Sequence, residues 1–592
     1  MGEIHMRERW ILETKKADFD GLGHELGVSS LVVRCMVNRG LETESEMRRY
    51  LRGTLEDLYD PLQMKGVPEA VELLQQTGAE GAKVGIASDY DCDGIFSAYI
   101  LWSGFQKVGI ESEIYTPDRI KEGYGLNKRI VDEANDAEVT VLVTCDNGIA
   151  ANEAIAYAKE KGMRVIVTDH HEVQEVLPDA DVIVDPKQEG ETYPFSGLCG
   201  GGVAFKLICA LYDACGVPAD EKWKLLEYTA IATVADVMEL KDENRILVKY
   251  GLQALEKTSN VGLQAILEVQ GLNGKKLNGG HIGFIVGPCF NAAGRIATVK
   301  ESFDLLMESD YAEALGKAQN LKEINESRKA MTEKGTQMAY EMLGLTEKSG
   351  EPSELDDVIV LLLPDIHQSL VGIIAGRVKE RTGHPVIIFS RIDGGFVKGS
   401  GRSIESYHMF NELLACKDLM THFGGHKMAA GMTLSEADLD ELRRRLNENS
   451  TLSDEDFCPV VKIDAAMPVG YATERLVEEF GLMEPFGVGN PKPLFAEQHF
   501  RILRGRLLGR EKNVLKLTVQ NLVGNQCDAM LFYGVEEFEQ FIIENFGERE
   551  LARMYEGREN DIDVAFTYFP EINEFRGNRT VQIQVCGYCR IE

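Results

Sequence analysis

Residues 84–94 read Val84-Gly85-Ile86-Ala87-Ser88-Asp89-Tyr90-Asp91-Cys92-Asp93-Gly94. The apolar run 84–87 predicts a buried parallel strand. Three carboxylates then occupy every second position as that strand ends. Such a cluster is costly unless a cation neutralises it. Two further apolar runs end the same way, 139–145 on Asp146 and 164–168 on Asp169-His170-His171. In a doubly wound sheet adjacent carboxyl ends meet at one crevice, where ligands bind. Five Asp and two His from three strand ends make a site for hard divalent metals, too acidic for one ion and suited to two.

Each motif has a plainer reading. An Asp at 89–93 can cap the following helix, but a cap uses one Asp of three. A calcium loop needs a bidentate Glu where this chain has Ile100. Asp146-Asn147-Gly148 alone is a turn; in register with the first motif it is a ligand. Adjacent His residues on an extended segment face opposite ways, so one can bind metal while the other faces substrate. Asp236 stands in an otherwise apolar stretch and is either paired or metal-bound. Gly399-Ser400-Gly401-Arg402-Ser403 and Phe423-Gly424-Gly425-His426-Lys427 read as glycine-rich loops with cationic tips, together a phosphate-binding face.

At 592 residues the chain has room for three or four domains of roughly 100–200 residues. No apolar run is long enough to span a membrane, and no signal-peptide pattern opens the chain. Twelve scattered Cys predict reduced thiols and a cytoplasmic protein. Cys586-Gly587-Tyr588-Cys589 reads as two strand residues rather than a zinc or redox pair. The formal net charge of −33 argues against nucleic acid, which normally leaves a basic footprint. One local exception is 501–516, with Arg501, Arg504, Arg506, Arg510, Lys512 and Lys516 against Glu511.

The pattern predicts a helical region over 1–75, with Ser29 or Ser30 as a cap and a Thr43/Glu46 capping box. An α/β parallel-sheet domain follows over 76–300, a long connector helix over 301–350 and a smaller α/β lobe over 351–450. Five short strands with one helix, within 451–592, suit a small barrel of the oligonucleotide-binding (OB) type.

The acidic motif, Asp146, Asp169-His170-His171 and Asp236 resemble the DHH phosphoesterase superfamily, and the stretches at 399–403 and 423–428 resemble its DHHA1 lobe. Gly287-Pro288-Cys289-Phe290-Asn291-Ala292-Ala293-Gly294-Arg295 and Glu484-Pro485-Phe486-Gly487-Val488-Gly489-Asn490-Pro491 narrow the resemblance to the RecJ family. That resemblance implies a two-metal exonuclease degrading single-stranded DNA 5′→3′ to mononucleotides, in recombination and repair. It implies that Asp89, Asp91, Asp93, Asp146, His170 and Asp236 hold two Mn2+ or Mg2+. His171 would meet the scissile phosphate, with Asp169 as the second catalytic residue. Arg119, Arg295, Ser400, Arg402, His426 and Lys427 would contact phosphates, and Tyr124 and Phe423 are the stacking candidates. The implied partners are single-stranded DNA, a single-strand-binding protein and a helicase, with the chain a monomer. Two departures stand out: Cys289-Phe290 replaces Arg-Leu, which removes one cation, and Ile366-His367-Gln368-Ser369 replaces a Trp-His-Pro-Gly opening. The rival readings are a DHH phosphodiesterase on short oligoribonucleotides or cyclic dinucleotides, an inorganic pyrophosphatase, and an inactive DNA-binding scaffold.

Overall fold

The structure is a computed structural model describing residues 8–119, 121–345, 355–509, 512–575 and 577–591. It divides into two units, one of residues Thr43–Arg328 with Met483–Pro491, the other of Met1–Glu42, Lys329–Leu482 and Lys492–Glu592.

The first unit is built on a five-stranded, all-parallel sheet in the order Ser112–Tyr115, Lys83–Ser88, Val139–Cys145, Arg164–Thr168, Val182–Val184. Its central strands are nearly continuous apolar runs, because helices cover both faces. Helices Val67–Ala79, Cys92–Lys107, Gly200–Ala214 and Leu226–Ala235 pack a large core on one side. Lys128–Asp136 and Asn152–Glu160 close a smaller core on the other. The register aligns Ser88 with Cys145, Cys145 with Thr168, and Thr168 with Val184. The residue after each strand is therefore an Asp at one level: Asp89, Asp146, Asp169 and Asp185.

The stretch 483–491 is held in this unit by Arg245, which is buried. Its guanidinium donates to the carbonyls of Tyr50, Met483, Pro485 and Glu484 at 2.7–3.3 Å. It also stacks 3.9 Å from the Tyr50 ring centroid. Asn490 donates to the Met483 and Pro485 carbonyls and accepts from the Tyr50 hydroxyl. The conspicuous Pro-Phe-Gly-x-Gly-Asn-Pro sequence is a clip fastened by backbone acceptors.

The second unit carries a five-stranded sheet ordered Met420–Gly425, Ala429–Ser435, Phe396–Arg402, Val386–Ile392, Ile359–Leu362. The glycines of both supposed loops lie in strands, and only His426 and Lys427 fall in a turn. Gly399 and Gly401 are there because a Cβ at 399 would fall 2.4 Å from the Phe389 ring and one at 401 would fall 3.1 Å from Met409. The barrel closes by pairing Phe495–Leu508 with both Val514–Asn521 and Asp563–Phe575. Its strands run up to 14 residues, longer than expected, and two helices, Val535–Phe546 and Glu548–Glu556, replace the single one. Cys586 and Cys589 lie on its strand Asn578–Arg590.

The N-terminal region has its capping box at Thr43/Glu46 and its cap at Ser29. It also has a strand, Arg9–Leu12, paired in parallel with Val460–Ile463. The connector breaks into Lys300–Leu306 and Tyr311–Met342. Its expected end at 350 and the second lobe's expected start at 351 lie outside the described residues, as do Arg510 and Glu511. No helix among the described residues is long and apolar enough to cross a membrane.

Replacing Arg245 by Met removes four hydrogen bonds and leaves the Tyr50 and Glu484 carbonyls without their side-chain donor, while Asn490 still serves those of Met483 and Pro485. It should destabilise the protein by about 3 kcal/mol or more in urea unfolding, since each buried acceptor left unpaired costs about 1–3 kcal/mol.

Candidate metal centre

Asp91 caps helix Cys92–Lys107 by accepting from the Gly94 amide, at 3.1 Å. The cap reading and the cluster reading are both satisfied, and Asp91 serves in each. Asp93 points back from the helix's first turn. Its two oxygens each accept a backbone amide, from Gly200 and Gly201, at 2.7 Å. These amides open helix Gly200–Ala214, whose positive end favours a carboxylate. A Cβ at Gly200 would fall 2.7 Å from Asp146 Cβ, and one at Gly201 2.6 Å from Ala232 Cβ. The glycine run, which sequence marks only as a helix start, lets the helix reach the acidic loops.

Asp146 stands at φ 59°, an unfavourable conformation for a residue with a side chain. Asn147 fixes it there, donating to the Ala87 and Cys145 carbonyls and accepting from the Leu126 amide. His170 Nε2 lies 3.0 Å from Asp146, 3.6 Å from Asp93 and 3.8 Å from Asp236. Asp89, Asp91 and Asp146 offer ligand atoms all within 4.8 Å of one another, as do Asp93, His170 and Asp236, and also Asp146, His170 and His171. The six expected ligands therefore converge.

The electrostatics fit a cation. Burial, and after it the neighbouring Asp93, Asp91, Asp89 and Asp236, push the Asp146 carboxyl well above the carboxylate range. Burial and Asp91 do the same to Asp89, whose Oδ1 is buried without a hydrogen-bond partner. Asp236 is likewise raised by burial, Asp93 and Asp91. Burial lowers His170, keeping its imidazole neutral, as a metal ligand requires.

Asp169 differs from the rest. Burial opposes its ionisation, but the hydrogen bond and charge of His171 and the Ile149 amide outweigh that and hold it low. Its oxygens accept from the Ile149, His170 and His171 amides and from His171 Nδ1 at 2.8 Å. Burial pulls His171 down, yet the bond and charge of Asp169 raise it net. Tyr124, expected as a stacking platform, has its hydroxyl tied to the site. It donates to the Asp146 carbonyl at 2.5 Å and lies 3.2 Å from His171 Nδ1.

Arg119 lies over the Tyr90 ring at 4.5 Å. Desolvation, then the nearby Arg119 and Arg328 charges, lower half-buried Arg295 to about 10. Cys289, where a cation was missing, is buried instead, with the Gln270 and Asn325 amides on its sulfur. Sequence reading passed over Arg328, and also over Asp185. Asp185 is fully buried with one oxygen unpartnered, and burial raises it to about 7. The signal was present: Val182-Ile183-Val184-Asp185 repeats the apolar-run-then-Asp pattern.

In the second unit Arg402 Nη1 donates to Ser400 Oγ at 3.0 Å and the Gly401 carbonyl at 2.8 Å. No carboxylate among the described residues pairs with it. A Cβ at Gly372 would fall 2.9 Å from Ser400 Oγ and 3.0 Å from Arg402 Nη2, so glycine lets the start of helix Val371–Thr382 close on this pair. Phe423 is stacked on Phe410 and packed against the core, so its ring is a packing element. Lys427 is ion-paired with Glu405, and His426 forms the turn by donating its amide to Ala429.

This sheet with its acidic strand ends defines a DHH-type protein. The chain matches the families described as DHH family, N-terminal domain, over 83–233, DHHA1 domain over 356–450, and RecJ OB domain over 463–587. It is 33% identical over 599 residues to the single-stranded-DNA-specific exonuclease RecJ of Escherichia coli, covering 98% of each chain. It is 38% identical to the Bacillus subtilis RecJ, covering 88% of this chain and spanning 66% of that protein's length. The solved structure of Thermus thermophilus RecJ in complex with Mn2+ superposes with a TM-score of 0.80 at 25% identity, over 99% of this chain and 80% of that one. The chain belongs to the RecJ family.

A carboxyl whose pKa is raised on folding binds more protons folded than unfolded, so its contribution to stability falls as pH climbs from about 4. For Asp89, Asp146 and Asp236 this means that metal-free protein should melt lower at about pH 8 than at about pH 6. Mn2+, competing with those protons, should raise the melting temperature more at the higher pH. Asp146→Asn should raise it without metal and shrink the Mn2+ gain. Calorimetry in EDTA and in Mn2+ checks this; a pH-independent gain would speak against carboxylate ligation.

Proposed function

We propose that this chain is a divalent-metal-dependent exonuclease that degrades single-stranded DNA from the 5′ end to mononucleotides, in DNA recombination and repair. The observation that carries the reading is the convergence of Asp89, Asp91 and Asp146, and of Asp93, His170 and Asp236, each set within 4.8 Å, where in-register strand ends meet the end of helix Leu226–Ala235. These six residues are the proposed ligands of two Mn2+ or Mg2+; a mixed set of imidazole and carboxylate leans towards Mn2+. When bound, the ions supply Lewis acidity and neutralise phosphate charge.

The protein's own groups do the rest. Asp169 holds His171 by Nδ1, which fixes the tautomer, leaves Nε2 for a phosphate oxygen and favours the charged imidazolium. The Tyr124 hydroxyl braces the same ring. Arg119 and Arg295 offer fixed positive charge beside the Asp91 loop. Ser400, Arg402 and the start of helix Val371–Thr382 form an anion cradle for a terminal phosphate, because Arg402 carries a charge that no carboxylate among the described residues balances. The closed barrel and its outward Arg501, Arg504 and Arg506 are the proposed grip on a longer strand; a bulge between Ile502 and Arg504 turns all three to solvent. In this reading the enzyme works in the cytoplasm as a monomer, beside a single-strand-binding protein and a helicase.

The test is incubation with 5′- and 3′-labelled single-stranded DNA, RNA and blunt duplex, in Mn2+, Mg2+ or EDTA. Mononucleotides should appear from the 5′ end of single strands, with duplex resistant and EDTA abolishing the reaction. Comparable rates on blunt duplex would sink the reading. His171→Ala should lower kcat by about 10²–10³-fold, the usual effect of removing one donor to developing charge. Arg402→Ala should raise KM about tenfold for a 5′-phosphorylated strand and change it little for a 5′-hydroxyl one. Equal losses on both would remove Arg402 from the end-reading role.

A further inference from the structure

Phe284 is 80% exposed, and it is placed so by an irregularity. Residues Gly279–His281 and Gly287–Ile296 are α-helical, but Ile282–Val286 between them form a π-turn. Such wide turns cost backbone hydrogen-bond geometry and concentrate at functional sites. Here Ile282 and Val286 point into the core, leaving Phe284 the exposed residue of the turn. The floor of the turn rests on the metal centre's own supports. A Cβ at Gly283 would lie 3.7 Å from Val234, and one at Gly287 3.3 Å from Ala235 and 3.8 Å from Cys92 Sγ. Val234 and Ala235 end the helix that Asp236 caps; Cys92 stands between Asp91 and Asp93. The Cys92 amide donates to Asn291, one turn further along the same helix, at 2.9 Å.

A second irregularity lies beside it. Val237, directly after Asp236, sits at φ 60° and is 64% exposed. A β-branched residue in that conformation is strained, and strain of this kind marks ligand-contacting segments. Two apolar side chains are thus held out to water, one by a π-turn and one by backbone strain, each next to a metal-competent loop.

We propose that Phe284 is a stacking platform for a nucleobase within the few nucleotides flanking the scissile phosphate. The proposal rests on the exonuclease reading, which brings a polymer of alternating phosphates and flat rings to this centre. A phosphate seated at the carboxylate loops leaves a neighbouring base at the rim. There an apolar ring offers its face without a hydrogen-bonding group, so it holds any base equally well, as an enzyme that consumes every sequence requires. Gly280, four residues before Phe284, keeps that side of the ring uncrowded: a Cβ there would come 4.0 Å from the Phe284 ring and 3.2 Å from Asn278 Oδ1.

The experiment compares wild type, Phe284→Ala and Phe284→Trp on ordinary single-stranded DNA and on a series carrying one abasic residue at successive positions. Base–aromatic stacking is worth about 1–3 kcal/mol, so Phe284→Ala should raise KM about tenfold, with kcat and melting temperature near wild type. Phe284→Trp should restore KM. At one abasic position wild type should suffer the same rise, and Phe284→Ala no further one. An unchanged KM in Phe284→Ala, or an equal further loss at every abasic position, overturns the platform while leaving the exonuclease reading intact. A wild-type chain that cuts no single-stranded DNA in Mn2+ overturns both.

Discussion

Carboxylates crowd the ends of three parallel strands, and the surrounding protein is arranged to keep them there. Repulsion among Asp89, Asp91, Asp93, Asp146 and Asp236 is opposed at Asp91 and Asp93 by backbone amides. The Gly200 and Gly201 amides pin Asp93, and the Gly94 amide pins Asp91. A lysine or arginine in their place would satisfy the charge permanently and close the site to metal. Amides orient the oxygens yet leave their charge unneutralised, so the centre stays avid. The glycines at 200 and 201, the strained φ at Asp146 and the Asn147 brackets all follow from that requirement.

The parallel sheet and its acidic ends were legible because they are local. An apolar run followed by Asp is a pattern of a few residues, and three such runs fixed the crevice. Asp185 repeated it and was missed because its strand has three residues. The Ser29 cap and the Thr43/Glu46 box were read correctly for the same reason of locality. The errors came where tertiary packing decides. Gly399-Ser400-Gly401 looks like a loop, but its glycines make room for Phe389 and Met409 in a central strand. Phe423 looked available for stacking until Phe410 was found on it. No sequence window could show that Arg9–Leu12 pairs with a strand some 450 residues away.

The charge of −33 is less paradoxical when followed residue by residue. Within the basic run, Arg501 is paired with Glu559 and Lys516 with Asp528. Both are surface pairs, worth about 0–1 kcal/mol and screened by salt, so a polyanion can exchange for them at little cost. Dispersed acidity can also discourage unspecific adhesion to folded duplex while leaving a few cations to engage a strand already at the site.

The parallel pairing of Arg9–Leu12 with Val460–Ile463 has a consequence in time. On the ribosome the first strand emerges long before its partner; at about 5–20 residues per second the wait is roughly 20–90 s. Through that interval Trp10, Ile11 and Leu12 present an unpaired backbone edge. Residues 1–42 are grouped with the C-terminal part of the chain rather than with the acidic sheet, so the parallel sheet can mature during synthesis while the first strand is still idle. Synthesis of residues 460–463 is then the event that gives the first strand its partner. A nascent copy interrupted before residue 460 would carry the parallel sheet without its 483–491 clip and with a bare strand edge, the kind of surface on which chaperones act and on which two unfinished copies could pair with each other.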